Sequence, residues 1–344
     1  MPDGRTGAPR ISVCVPTYNR APLLRPFLDS ILRQTFTDFE VVVADNCSTD
    51  ATPEIVKTIS DPRLRYHRNA KNIGPFGNMN LLLQLARGDY ITIVHDDDLY
   101  APQFLETLGA MLDRHPDVGM VHCAAHEVDA DGTRRRLVRA YPTTRVLPGD
   151  QEFVRYLQNH NVCCSSVMAR RSLYLEAGPF DLDLLCADYM MWVRMAARAD
   201  VAYVAEPLLD MRVHLNTVTS WLNPARWHSD FVVILERGLA VGAELRPALV
   251  RDRAAITRLA ATTQGRRFLV AELAAVSRGD YELARGYLEV LRKLRDIGLS
   301  PAYTATASLF TNRLGQSLLS LGARIRRTRA RRVSASLPVT TVRA

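Results

Sequence analysis

Short apolar runs alternate with amphipathic stretches over the first two thirds of the chain. The run 11–15 is β-branched and ends at Pro16. The run 39–44 is nearly all apolar, as expected for a strand buried on both faces, while 64–67 is a weaker strand and 90–94 another β-branched one. Between them, 23–32 and 78–86 carry helical spacing. Asp50-Ala51-Thr52-Pro53-Glu54 opens a further helix, with a capping residue and a proline in its first turn. A helix over 102–114 and a strand over 118–123 continue the rhythm. Strand and helix in strict alternation predict an α/β fold, a mostly parallel sheet flanked by helices.

Further along, Asp129-Ala130-Asp131-Gly132 predicts a hairpin turn between 124–128 and 133–139. A helix over 150–158, a strand over 162–169, a helix over 188–199 and two short strands within 201–213, around Pro207, follow. Beyond Trp221 the pattern is helical only. The stretches 254–275 and 281–295 form a helical hairpin about Gly279-Asp280, and a last helix covers 305–327. The organisation predicted is an α/β domain over 1–220, an all-helical C-terminal region over 221–327, and a basic tail over 328–344 that is expected to be disordered.

Composition narrows the class. Of 344 residues, 47% are hydrophobic and 23% charged, the balance of a soluble globular protein. No apolar run is long enough to span a bilayer, and the polar first ten residues lack an apolar signal core, so a cytoplasmic setting is expected. The cysteines, Cys14, Cys47, Cys123, Cys163, Cys164 and Cys186, show no metal-type spacing and read as free thiols. Cys163 and Cys164 are read as small core side chains in preference to a redox pair.

The net charge of +8 is unevenly spread. Residues 1–220 sum to −4 and residues 221–344 to +12. Nucleic acid is therefore not the expected substrate of the N-terminal region. The basic excess ends in Arg324, Arg326, Arg327, Arg329, Arg331 and Arg332, after an apolar stripe of Leu309, Phe310, Leu314, Leu318, Leu321 and Ile325. The stripe is read as packing on the helical region. Its alternative is peripheral contact with an anionic membrane surface, at the inner face of the membrane. It is also a surface suited to a homodimer.

The chemistry concentrates at His95-Asp96-Asp97-Asp98. Adjacent carboxylates repel, and a hard divalent cation such as Mn2+ or Mg2+ is the natural neutraliser. They follow a strand directly, where open α/β sheets bind ligands. Alone, such a cluster is equally a solvated acidic turn.

Four segments in order decide between these readings. They are Val15-Pro16-Thr17-Tyr18-Asn19-Arg20, with Ser30-Ile31-Leu32-Arg33-Gln34-Thr35 behind it; Asp45-Asn46-Cys47-Ser48-Thr49-Asp50; Gly88-Asp89-Tyr90 leading into His95-Asp96-Asp97-Asp98; and Gly178-Pro179-Phe180-Asp181 followed by Ala187-Asp188-Tyr189-Met190-Met191-Trp192. Together, over about residues 10–220, they resemble the family 2 glycosyltransferases of GT-A fold. The resemblance implies inverting transfer of a hexosyl or deoxysugar unit from a nucleoside diphosphate sugar to the hydroxyl of a sugar, lipid-linked or small-molecule acceptor.

It also implies roles for residues. Asp97 would bind the metal and Asp96 the ribose, with Asp98 helping either. Pro16, Thr17, Tyr18, Asn19 and Arg20 would line base and ribose, partly through backbone groups, and Asp45 and Asn46 would reach the base edge. Many relatives carry Asp where Asn46 stands. An amide offers donor and acceptor where a carboxylate only accepts, so uridine, thymidine and cytidine diphosphates stay open, with the UDP or dTDP type expected. Asn72, Gly74 and Asn78 would line the donor pocket. Arg212 would pair a phosphate oxygen and His214 would ligate the metal. Asp188 would be the general base, taking the proton of the acceptor hydroxyl. Relatives often carry Glu before this Asp; here it is Ala187.

Rival classes fit less well. Nucleotidyltransferases and dinucleotide-dependent oxidoreductases need a Gly-rich loop after the first strand, which Pro16-Thr17-Tyr18-Asn19 is not. A non-catalytic nucleotide-sugar-binding or scaffold subunit of a glycan or natural-product pathway is the remaining alternative. It predicts a damaged acidic cluster or base.

Overall fold

The computed structural model describes residues 7–159, 162–213 and 224–311. Strands β1 (Ile11–Thr17), β2 (Phe39–Asp45), β3 (Leu64–Arg68) and β4 (Tyr90–Ile93) form a parallel half-sheet in the order β3-β2-β1-β4. Helices α1 (Ala21–Leu32), α2 (Thr52–Lys57) and α3 (Pro75–Leu85) connect them. Every residue of β2 is buried, which its run of apolar side chains requires. In α1, Leu24, Phe27, Leu28 and Ile31 recur at helical spacing and face the core under the sheet.

Pro16 does not end the first strand. β1 runs to Thr17, because its last register pair with β4 is Cys14↔Ile93 and Pro16 lies beyond it. A residue without an N–H is tolerated where one flank of a strand is already unpaired.

The second half of the sheet is mixed. After β5 (Leu99–Tyr100) and α4 (Phe104–Arg114) comes β6 (Val118–Val128), one long strand that merges the two segments expected over 118–128. The hairpin at 129–132 is present and leads into β7 (Arg134–Val138), antiparallel to β6. β8 (Arg145–Leu147) and α5 (Gly149–Gln158) follow. The strand expected over 162–169 is shorter. Cys164–Ser166 forms a 3-10 turn and only β9 (Val167–Arg170) is extended, lying antiparallel between β4 and β6. Next come α6 (Arg171–Ala177), α7 (Ala187–Ala196) and β10 (Asp200–Arg212). β10 is one strand, with register shifts on both sides of Pro207. The proline thus sits at a bulge of a continuous strand.

Four helices complete the described chain: α8 (Pro224–Leu245), α9 (Arg253–Arg278), α10 (Tyr281–Asp296) and α11 (Pro301–Thr311). Two compact units emerge, residues 1–222 with 230–253, and residues 223–229 with 254–344. Most of α8 therefore packs with the α/β unit, although the sequence turns purely helical at 221. Gly238 shows why. A Cβ there would stand 2.4 Å from Leu157 Cδ2 and 3.0 Å from Val193 Cγ1, so the glycine lets α8 press onto α5 and α7. The expected helix over 305–327 is described only to Thr311, and the Arg-rich tail lies outside the described residues. No described helix is long and apolar enough to cross a membrane.

Gly88, before β4, is required by a close approach. A Cβ there would stand 2.6 Å from Ser12 N and 2.8 Å from Ile11 C, both backbone of β1. Gly88→Ala must push two central strands apart and is expected to cost about 1–3 kcal/mol. A urea-melt midpoint unchanged from the parent would contradict this.

Candidate active site

The sheet's carboxyl ends open into one cavity of about 700 Å3. It is lined by Pro16, Thr17 and Tyr18 after β1, Asn46 after β2, Asn72 and Asn78 around the start of α3, His95 to Asp98 after β4, Asp188 in α7, and Arg212 at the end of β10. Twelve of the residues expected from sequence, Arg20 among them, thus meet in one place. The volume suits a ligand of nucleotide-sugar size.

Two expected residues face elsewhere. Asp45 is fully buried beneath the cavity, where its carboxylate accepts from Ser48 N at 2.8 Å and Tyr66 Oη at 2.7 Å. Asn19 takes a left-handed φ of 53° and its Oδ1 accepts from Thr49 N at 2.8 Å. Both belong to a lattice that ties the loops after β1 and β2 together. In it Ser48 accepts from Asn19 N at 2.9 Å, Thr52 from Arg20 N at 3.0 Å and Asp50 from Ala21 N at 3.0 Å. Short polar side chains serve turns as readily as ligands, which is why sequence alone put these two in the pocket. His214 lies outside the described residues.

Asn46 lines the cavity with its amide fully engaged. Nδ2 donates to Asn72 Oδ1 at 2.8 Å and Gly74 O at 3.2 Å; Oδ1 accepts from Asn69 Nδ2 at 3.0 Å and Ile73 N at 2.9 Å. All four hydrogen-bonding positions of the amide are used. Asn69 also donates to Asn78 Oδ1 at 3.0 Å, and Asn78 Nδ2 donates to Ala44 O at 2.7 Å. Four asparagines therefore fasten the 69–78 segment to the end of β2. In this arrangement the Asn46 side chain shapes the pocket wall and leaves no free edge for a base.

The acidic cluster is held in a defined pose. Asp98 accepts from Ser165 Oγ at 2.7 Å and from Arg212 N at 2.9 Å. Tyr100 Oη accepts from His95 N at 3.1 Å and donates to Ser165 O at 3.2 Å. Burial pushes the Asp96 carboxyl up to about 7, with repulsion from Asp97 adding to it, and burial pushes Asp98 up to about 6. Oδ2 of Asp96 is buried without a hydrogen-bond partner. Ligand atoms of His95, Asp97 and Asp98 all lie within 4.8 Å of one another. Carboxylate oxygens with one imidazole, beside an unsatisfied buried carboxyl, are a donor set that fits a hard divalent cation.

Arg212 is occupied otherwise than expected. Its Nε donates to Asp97 O at 3.1 Å and its Nη1 to Asp129 O at 3.4 Å and to Ala130 O. The guanidinium clamps three main-chain carbonyls around the acidic cluster.

Asp188 sits at the second position of α7, whose N-cap is Cys186 without a side-chain cap. Its carboxyl is pushed above the ordinary range by burial. The entry to α7 is held from a distance, because Asp230 Oδ2 in α8 accepts from Leu185 N at 2.5 Å and Cys186 N at 2.8 Å.

Arg20 lines the cavity, as expected of the loop from Pro16 to Arg20, whereas sequence reasoning gave no role to His95, Ser165 or Asp230. His95 stands inside the quoted acidic motif, and its place beside the carboxylates was the available signal. Ser165 and Asp230 reach the site through folding alone.

Comparison with known proteins agrees with this geometry. Residues 12–177 match glycosyl transferase family 2. A PGL/p-HBAD biosynthesis glycosyltransferase of Mycobacterium bovis is 33% identical over 179 residues, 51% of this chain and 64% of that protein. The chain spans less than two thirds of the length of the curated relatives it matches first. Staphylococcus aureus TarS in complex with UDP-GlcNAc has a TM-score of 0.63 at 18% identity, covering 92% of each chain. Mannosyltransferase PcManGT of Pyrobaculum calidifontis, in complex with GDP-Man and Mn2+, has a TM-score of 0.50 at 22% identity, covering 89% of this chain and 88% of that one. Both likenesses concern the fold.

The raised Asp96 carboxyl carries a stability signature. Folded, it keeps its proton up to about 7, whereas unfolded it loses it near about 4. Between those values the folded state binds more protons, so this group lowers stability as pH rises. Asp96→Asn is expected to melt a few degrees above the parent at pH 8, with the gap closing toward pH 4. Melting curves across that range check it; a variant less stable than the parent at pH 8 contradicts it.

Proposed function

We propose, from the premise that this chain belongs through residues 12–177 to glycosyl transferase family 2, that it is an inverting glycosyltransferase. It moves a sugar from a nucleoside diphosphate sugar to an acceptor hydroxyl. The observation that carries the reading is a single cavity holding the carboxylates after β4 on one wall and Asp188 on another. The UDP or dTDP type of donor is the one favoured here, and the TarS complex with UDP-GlcNAc supports it.

The residues divide the work. Tyr18 and the wall fastened by Asn46, Asn72 and Asn78 bound the nucleoside. Asp96 takes the ribose. His95, Asp97 and Asp98 are the group that would hold Mn2+ or Mg2+. Such a cation, when bound, supplies charge neutralisation to the leaving diphosphate. Asp188 accepts the proton of the acceptor hydroxyl while the oxygen of that hydroxyl bonds to the anomeric carbon, and the bond from that carbon to the diphosphate breaks with its electron pair leaving on the diphosphate. One base and one displacement invert the centre. Asp188 works only ionised, so the raised carboxyl moves the acid limb of the rate profile above the ordinary carboxylate range.

The acidic cluster and Asp188 are both intact, which favours an enzyme over a non-catalytic subunit. The acceptor is a sugar, a lipid-linked sugar or a small molecule.

Two variants test the assignment. Asp188→Asn should retain metal-dependent nucleotide binding by calorimetry yet lose transfer by at least about a hundredfold, the lower bound for a general base. Transfer within a few-fold of the parent would remove Asp188 from the role. Asp97→Ala should abolish the rise in melting temperature that a nucleoside diphosphate gives with Mn2+. An undiminished rise would place the metal elsewhere.

A further inference from the structure

The cavity contains a cation of its own. Arg20 is pinned at its backbone, where N donates to Thr52 Oγ1 at 3.0 Å and the carbonyl accepts from Leu23 N and Leu24 N at 3.0 Å each. Its head is not pinned. Nε lies 3.5 Å from Asp96 Oδ1 and Nη2 3.6 Å from Asp97 Oδ2, and the side chain is 23% exposed. These are ion-pair separations longer than charge-assisted hydrogen bonds. Arg212, the other arginine of the cavity, differs, since its Nε and Nη1 are held by main-chain carbonyls. Among the described cavity arginines, Arg20 is the one whose guanidinium is engaged by carboxylates alone, at distances that leave it able to change partners.

We propose that Arg20 is a built-in counter-ion that a divalent cation displaces from Asp97, and that it then pairs with the donor's diphosphate. Asp97 belongs to the group of atoms close enough to share a cation and is also one of the two carboxylates under Arg20. A guanidinium and a metal ion on the same carboxylate repel. The planar fork of arginine matches phosphate oxygens, and in the same cavity a diphosphate offers the released head a new partner. Metal and nucleotide binding then help each other, because each relieves a cost of the other. This rests on the nucleotide-sugar reading above.

The test uses the full chain. Mn2+ binding is followed by the electron paramagnetic resonance signal of the free ion, alone and with UDP, dTDP or CDP in turn, for the parent, Arg20→Ala and Arg20→Lys. Loss of the competing cation should let Arg20→Ala bind Mn2+ alone several-fold tighter than the parent. At saturating Mn2+ the nucleotide that binds the parent should bind Arg20→Ala about tenfold more weakly, the loss expected for one charge-assisted contact. Arg20→Lys should fall between. Arg20→Gln, which keeps the stem, decides both comparisons if the Ala variant does not fold.

Mn2+ affinity in Arg20→Ala no higher than in the parent overturns the competition. Unchanged nucleotide affinity overturns the pairing with diphosphate. If the parent binds Mn2+ but none of the nucleotides, the nucleotide-sugar reading fails and the diphosphate half falls with it, while the two metal isotherms still decide the competition. If the parent binds no Mn2+, the inference is overturned outright.

Discussion

Mutual repulsion among the carboxylates after β4 is the constraint on which the rest of the site depends. Two unit charges about 4 Å apart at an effective dielectric of 20 interact by about 4 kcal/mol, a large fraction of what holds a domain folded. The protein does not disperse the cluster. It fixes Asp98 with Ser165 and the Arg212 amide, props His95 on Tyr100, and sets Arg20 opposite Asp96 and Asp97. The Asp96 and Asp98 carboxyls are nonetheless raised, by burial first and by the neighbouring Asp97 charge in addition. A divalent cation held by His95, Asp97 and Asp98, as proposed above, would offset that cost.

The opposite wall is built on different physics. It carries no charge excess and gains order from amides that satisfy one another. Asn46, Asn69, Asn72 and Asn78 bond in sequence, ending on the Ala44 carbonyl at the tip of β2. A carboxylate at position 46 has no donor to give to Asn72 or to the Gly74 carbonyl, so it breaks two of these links. The asparagine is therefore accounted for by the wall it holds. Under the proposed function, the amide-bonded part of the lining would bound the nucleoside and the charged part would handle its phosphates.

Much of this was legible in the sequence because the signals were local. The apolar runs of β1, β2 and β4 and the helical spacing of α1 fixed the half-sheet, and like charges side by side marked the acidic cluster. Errors arose where one residue type serves two purposes. Asn19 is a polar loop residue and Asp45 the last residue of β2, and only the fold shows that they bond to Thr49, Ser48 and Tyr66. Arg212 was expected at a phosphate because arginine suits one, but the carbonyls that claim it come from the turn after β6 and from Asp97. Pro16 and Pro207 read as strand breakers, yet each sits where a strand is unpaired or bulged. The direction of β9 had no local signal, since an antiparallel insertion depends on its neighbours β4 and β6.

The helical remainder also reaches into the site, and this bears on what the first 220 residues do without it. α7 carries Asp188 in its first turn, and two backbone N–H groups at its entry have Asp230 of α8 as partner. Gly238 allows α8 to pack within contact of Leu157 and Val193, on the helices beside it. A chain cut at 220 loses that carboxylate, and with it the partner of two backbone donors at the start of α7. The sequence motif for the proposed base ends well before Asp230, but the geometry that aims the base does not. The α/β unit is thus completed by a helix that sequence pattern alone assigns to the region after it.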